Sequence, residues 1–155
     1  MSRGAVLVGV ALCLAGCMTY PDQVEGGVGI GRGDDGQPVV HFASCGSPVV
    51  ELVVLQGREG LAEDEENAVV GEWRLDRPAT QGFLDLANTV AEGEFRGFDD
   101  GVAYLVDVRL EDDNARLAGA EFELAELDAL GTDQVLAAED RVVTVHELAG
   151  DCPTR

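Results

Sequence analysis

The amino-acid sequence predicts an all-β protein, an immunoglobulin-like antiparallel β-sandwich, with a partly closed β-barrel as the alternative. Three observations predict it. Apolar and polar residues alternate over several short segments, as half-buried strands require. Turn formers punctuate those segments at short intervals. No long stretch keeps the helical period. Hydrophobic residues make up 46% of the chain, enough to build a packed core, so its acidity does not imply a disordered chain.

The strands follow in order. Val39 to Ser44 alternates, with Val40 and Phe42 on one face and His41 on the other. Gly46-Ser47-Pro48 separates it from a strand in which Val50, Leu52 and Val54 share a face. Residues 57–67 (GREGLAEDEEN) read as an acidic loop. Val69, Gly71, Trp73 and Leu75 then share a face, with Glu72 and Arg74 opposite. Pro78 to Gly82 breaks the chain, and Phe83–Ala87 and Val90–Phe95 are weaker strands. Asp99-Asp100-Gly101 is a turn.

Val102 to Leu110 is the clearest strand, with Tyr104, Val106 and Val108 on one face and Asp107 and Arg109 on the other. Ala120, Phe122 and Leu124 alternate with Glu121 and Glu123. Residues 125–131 allow one helical turn. Gln134–Ala137 is a short strand and Arg141–Leu148 the last one. Trp73 is placed to pack on a core, as in immunoglobulin-like folds, but the spacing from Cys45 is too long for the antibody pattern.

Charge narrows the partners. The formal net charge is −20, which repels the phosphates of nucleic acid and anionic lipid heads, so no nucleic-acid partner is expected. A surface of one sign also favours a soluble monomer. All ten cations are Arg; without Lys, Schiff-base and Ser-Lys mechanisms are excluded.

No catalytic site, cofactor site or metal site is assigned. The candidate nucleophiles Ser44 and Ser47 stand in no nucleophile elbow. His41 and His146, on the first and last expected strands, have no local partners that would make a triad or a metal site. Gly31 to Gly36 fits GxGxxG, but it follows no strand and opens no helix, so the dinucleotide reading lacks its context. Arg32-Gly33-Asp34 spells an adhesion tripeptide, a cheap match in such a segment. Calcium is the more serious option, through Glu63-Asp64-Glu65-Glu66, Asp99-Asp100 and Glu111-Asp112-Asp113-Asn114, although none has EF-hand spacing.

The chain opens with Arg3 and an uncharged apolar run from Ala5 to Leu14. That run is too short to span a bilayer, which needs about 20 residues, but it suits the core of an export signal. It ends in Leu14-Ala15-Gly16-Cys17, an aliphatic residue, two small residues and a Cys. This segment resembles the lipobox of bacterial lipoproteins. The resemblance implies cleavage between Gly16 and Cys17, a diacylglyceryl group on the Cys17 thiol, and a membrane partner held through that anchor. Two acyl chains give stable anchoring where one is marginal. The expected location is the outer face of the cell membrane.

An exported chain permits disulfides. With Cys13 removed and Cys17 lipidated, Cys45 and Cys152 remain, and a Cys45–Cys152 bridge would tie the ends of the domain. Redox motifs set their cysteines close together, and these two are far apart. A loop of this length would contribute about 4–5 kcal/mol in the chain-entropy model.

The expected organisation is a signal peptide over 1–16, a lipidated Cys17 and Gly-rich tether over 17–38, a β-sandwich domain over 39–152, and a tail over 153–155. The function expected is a non-catalytic binding module at the cell envelope, meeting a protein or solute through sheet edges and acidic loops. A calcium-stabilised adhesion or sensing domain and a small envelope hydrolase are the alternatives.

Overall fold

The computed structural model describes residues 23–57, 61–62, 65–113 and 115–150. Gly16, Cys17 and Cys152 lie outside the described residues, as does the expected signal segment. Among these residues, ten strands form two sheets packed face to face. The strands are β1 (Gln23–Arg32), β2 (Pro38–Ser44), β3 (Val49–Gln56), β4 (Val69–Ala79), β5 (Gln81–Asp85), β6 (Tyr104–Leu110), β7 (Ala115–Ala118), β8 (Ala120–Phe122), β9 (Gln134–Ala137) and β10 (Arg141–Thr144). The described residues also form two short α-helices, α1 (Leu124–Leu127) and α2 (Val145–Gly150), and a 3-10 turn over Ala138–Asp140.

The first sheet has the order β10-β9-β1-β2-β5, with β7 also paired to β1; the second has the order β4-β3-β6-β8. All pairings are antiparallel except β1 with β7. Neither sheet closes into a barrel. The protein is therefore an all-β sandwich, as its alternation predicts.

Period-two burial positions the core. Val28 and Ile30 of β1, Val40 and Phe42 of β2, and Leu52 and Val54 of β3 meet between the sheets. Tyr104 and Val106 of β6 and Phe122 of β8 join Leu52 and Val54 on the inner face of the second sheet. Each such side chain contributes about 1.5–3 kcal/mol by leaving water. Two crossings between the sheets are sharp. Thr80 separates β4 from β5, and its carbonyl accepts the Ser44 N–H. Gly119 separates β7 from β8, where a Cβ would lie 2.9 Å from the Val106 carbonyl oxygen.

Several sequence expectations change; the break expected over Pro78–Gly82 narrows to Thr80, and Leu124, expected on a strand, opens α1. The Gly-rich segment expected as a tether contains β1, a strand at the centre of the first sheet. Its apolar residues Val28 and Ile30 face the sandwich core, while Gly27, Gly29 and Gly31 line the outer side. There the missing side chains make room for others. A Cβ on Gly29 would lie 2.5 Å from Val135 Cγ2, and one on Gly27 would lie 2.9 Å from Leu148 Cδ1.

In β3, a bulge places Val49 rather than Val50 in the core. The register passes from Val49↔Leu110 to Glu51↔Arg109, leaving Val50 as the extra residue. The segment Val90–Phe95 forms no strand; Glu92 makes a single bridge to Glu72. Finally, the last expected strand stops at Thr144, and His146 lies on α2 instead.

That stop has a local cause. Thr144 and Glu147 form a reciprocal cap. The Glu147 carboxylate accepts the Thr144 N–H at 2.8 Å, and Thr144 Oγ1 accepts the Glu147 N–H at 3.1 Å. Helix α2 then folds back over β1 and β2, with Leu148 buried against Val135 and Ala137. Thr144→Ala is expected to destabilise the protein by about 1 kcal/mol, measured as a lower urea midpoint. An unchanged midpoint would mean that packing alone holds α2.

Candidate functional site

The outer face of the first sheet carries an open groove beside the ground covered by α2. Strand register builds it column by column. On β2, the alternation that sends Val40 and Phe42 inward sends Val39 and His41 outward. On one side of these stand Gly31 and Gly29 of β1. On the other stand Asp85 and Phe83 of β5. The β1–β2 turn (Arg32, Gly33, Asp34 and Asp35) and Thr132 wall the groove, whose volume is about 470 Å³.

Its floor is apolar and its rim acidic. Phe83 is 70% exposed, and its ring centroid lies 6.0 Å from that of His41. Asn88 locks two rim carboxylates together: its side-chain amide donates to Asp35 Oδ2 at 3.0 Å and to Asp85 Oδ2 at 2.8 Å. The backbone N–H groups of Ala87 and Asn88 also donate to Asp85 Oδ1. The N–H of Gln37 donates to Asp35 Oδ1 at 3.0 Å. That bond and the one from Asn88 hold the Asp35 carboxyl below its ordinary range. Arg32 does not neutralise the rim, because its guanidinium is ion-paired with Asp128. Its Nε–H is buried and finds no acceptor among the described groups.

Burial holds the His41 imidazole below its ordinary value of 6.5. The unfolded chain therefore binds the proton more readily than the folded one. The stability that goes with a neutral His41 is full above the unfolded value and is lost as pH falls through the folded value. Urea midpoints are expected to drop below about pH 6.5, and His41→Phe is expected to flatten that part of the profile. A His41→Phe profile parallel to the parent would assign the pH dependence to other groups.

The other candidate residues fall elsewhere. Ser44 Oγ donates to the Ser47 carbonyl, and Ser47 Oγ accepts the Asp112 N–H at 2.8 Å. Both hydroxyls thus serve the β2–β3 connection. Ser44 is three residues from His41 on one strand, so the two point to opposite faces. His146 is exposed on α2. Cys45 follows β2 directly and is half-buried.

The GxGxxG match is the β1–β2 hairpin turn. Gly36 has φ +80° there, and its N–H donates to the Gly33 carbonyl. No helix follows, so no dipole is aimed at a phosphate. The Arg-Gly-Asp tripeptide lies in the same turn, with Arg32 engaged by Asp128.

Of the three acidic segments considered for calcium, two lie at one end of the second sheet and the third at the other. At one end the Gly57 N–H donates to the Ala103 carbonyl and the Gln56 N–H to the Ala68 carbonyl, so the described ends of the 57–68 segment lie beside the 99–103 turn. At the other end, Glu111 and Asp112 join the Ser47–Pro48 corner. Glu63, Asp64 and Asn114 lie outside the described residues.

Among the described residues, carboxylates gather at Glu51, Glu72 and Glu92, within 4.8 Å of one another. They sit on the outer face of the second sheet. Glu51 is only 5% exposed, yet it pairs with Arg109 at 2.6 Å and Arg74 at 3.7 Å. Arg74 also reaches Glu92. Two guanidinium groups, Arg74 and Arg109, thus already offset part of the charge of the three carboxylates.

Fold and groove together define a β-sandwich protein with an acid-rimmed aromatic groove on one outer face. Comparison with protein-family models, with curated proteins and with solved structures returned no match. No helix among the described residues is long and apolar enough to cross a membrane.

Sequence reasoning singled out His41 but not Asp35, Phe83 or Asp85, because residues 32–35 read as linker and Phe83–Ala87 only as a weaker strand. The alternation Val28-Gly29-Ile30-Gly31 was the available signal for a strand there, and Asp85 with Asn88 was the signal for a structured turn.

Proposed function

We propose that the protein is an exported, lipid-anchored binding module of the cell envelope, and that it meets its ligand in the groove around Phe83. The groove carries this reading. A large aromatic ring left 70% exposed, beside a half-buried histidine and carboxylates held in place by Asn88, is a surface arranged for contact. The anchor is the diacylated Cys17 that the Leu14-Ala15-Gly16-Cys17 motif implies.

The Cys45–Cys152 bridge belongs to the same reading. Cys45 is not a free thiol. Helix α2 packs against β1 and β2 and ends at Gly150, two residues before Cys152 in the sequence. Such a bridge would fasten the chain end over the outer face of the first sheet.

Two experiments test the reading. The intact mass of the membrane-extracted protein is expected to correspond to a chain starting at Cys17 with a diacylglyceryl adduct. The adduct is expected to vanish in Cys17→Ser. A chain retaining residues 1–16 without lipid would remove both the anchor and the export argument. For the groove, a photo-crosslinking residue is placed at Phe83 on intact cells and, as a control, at Glu121 on the other sheet. Adducts from position 83 alone support the reading; equal or absent adducts refute it.

A further inference from the structure

Resting on the proposal that the groove binds, we infer the chemistry of its occupant. It is an extended, basic segment of another protein, which pairs with the free edge of β5 and lays cationic side chains across Phe83 toward Asp34, Asp35 and Asp85.

Backbone geometry supports the extended conformation. Among the described residues, strand β5 ends the first sheet and is paired on one side only, to β2. The Leu86 N–H donates inward to the Pro38 carbonyl, and the Thr80 carbonyl accepts inward from Ser44. Antiparallel ladders alternate the direction of backbone groups with period two. Gly82 and Leu84 therefore also face β2, and Gln81 and Phe83 turn their N–H and C=O groups to the open edge. An open edge is a template for strand addition. The Asp85 carbonyl is already taken by the Thr89 N–H, which limits the template to the Gln81–Phe83 stretch and the Asp85 N–H.

Charge supports the basic side chains. A strand added beyond β5 presents alternate residues on the same outer face as Phe83 and Asp85. Asp35 and Asp85 spend part of their hydrogen-bonding capacity on Asn88 and the backbone, and their negative charge remains. Asp34 is exposed beside them, and Arg32, the cation among the groove's described lining residues, is paired with Asp128. An Arg or Lys side chain over the exposed Phe83 ring gains a cation–π contact together with these carboxylates. The net charge of −20 draws the same kind of partner from a distance.

The test uses the full chain in detergent and three fluorescent decapeptides. The first alternates Arg with Thr, the second alternates Glu with Thr, and the third alternates Arg with Pro, which cannot donate to an edge. The first is expected to bind, the second not at all, and the third about tenfold more weakly or worse. Phe83→Ala, at an exposed position that leaves the core intact, is expected to weaken the first peptide about tenfold. Asp85→Asn is expected to weaken it also, more at low salt than at high.

Equal binding of both Arg peptides, or binding indifferent to Phe83→Ala, would reduce the effect to general attraction by an acidic surface and overturn the inference. No binding of the first peptide also overturns it. In that case adducts from position 83 on cells would leave the binding function standing and show that only the partner's chemistry is wrong.

Discussion

Trp73→Ala is expected to lower the unfolding free energy by about 3–5 kcal/mol, the range for removing a large aromatic ring from a closed core. Trp73 is fully buried on β4, an outer strand of the second sheet. It stays buried because Gly71, two residues earlier on the same face, leaves room for its ring. A Cβ at Gly71 would lie 2.5 Å from Trp73 Cη2. The ring meets Phe95 edge-on at 5.0 Å, and Phe95 continues through Phe98 to Tyr104 and Phe122.

The indole Nε1–H donates to the Thr89 carbonyl at 3.2 Å. The single tryptophan thus pins the whole 86–103 connection against the sandwich. Alanine would open a cavity, orphan that carbonyl and release the aromatic chain together. Trp73→Phe keeps part of the packing and should lose less. Urea unfolding followed by far-UV circular dichroism measures both, since the variants lose the fluorophore. A loss below about 1 kcal/mol for alanine would show that the aromatic chain holds the connection without Trp73.

Gly26→Ala is the second large effect, about 2–4 kcal/mol from backbone strain and overpacking combined. Gly26 has φ +130°, a conformation that side chains rarely tolerate. It lies where β1 shifts register against β7, between Val24 and Gly27. A Cβ there would be driven into the Ala43 carbonyl oxygen and would lie 2.9 Å from the carbonyl carbon. The obstacle is backbone of the neighbouring strand, so it cannot step aside by changing rotamer.

Gly97→Ala is the matched control. Gly97 also has a positive φ, +92°, but nothing lies within 4 Å of its added Cβ. Its loss should reflect strain alone, about 1 kcal/mol. Urea midpoints of the two variants separate the terms. Equal losses would mean that β1 and β2 move apart at little cost.

Much of the fold was legible because a strand packed on a core must alternate. Tyr104, Val106, Val108 and Leu110 are all buried on β6, with Asp107 and Arg109 exposed between the inward residues. Ala120 and Phe122 behave in the same way on β8. The turn at Asp99–Gly101 was legible too, because Asp and Gly act within a few residues, and the helical turn expected over 125–131 forms one residue earlier, as α1 from Leu124 to Leu127.

What misled the reading were residues whose role depends on distant partners. Glycine has low strand propensity on its own. Gly27, Gly29 and Gly31 belong to a strand because Val135 and Leu148, more than a hundred residues later, occupy the space they leave. Val142 to Val145 looks like strand throughout, and the Thr144–Glu147 cap ends it. The candidate site shows the same division. Asp34 and Asp35 looked like parts of a flexible linker; antiparallel pairing of β1, β2 and β5 brings them beside Phe83, His41 and Asp85.

The sequence by itself determined that the chain builds a β-sandwich and which residues of its clearest strands, such as β6 and β8, face inward, because burial between two sheets imposes a period of two that is written locally. The tertiary structure alone decided where the outer face is covered and where it stays open. Coverage by α2 and the groove beside it depend on register between strands far apart in the chain, a long-range packing outcome that no local pattern encodes.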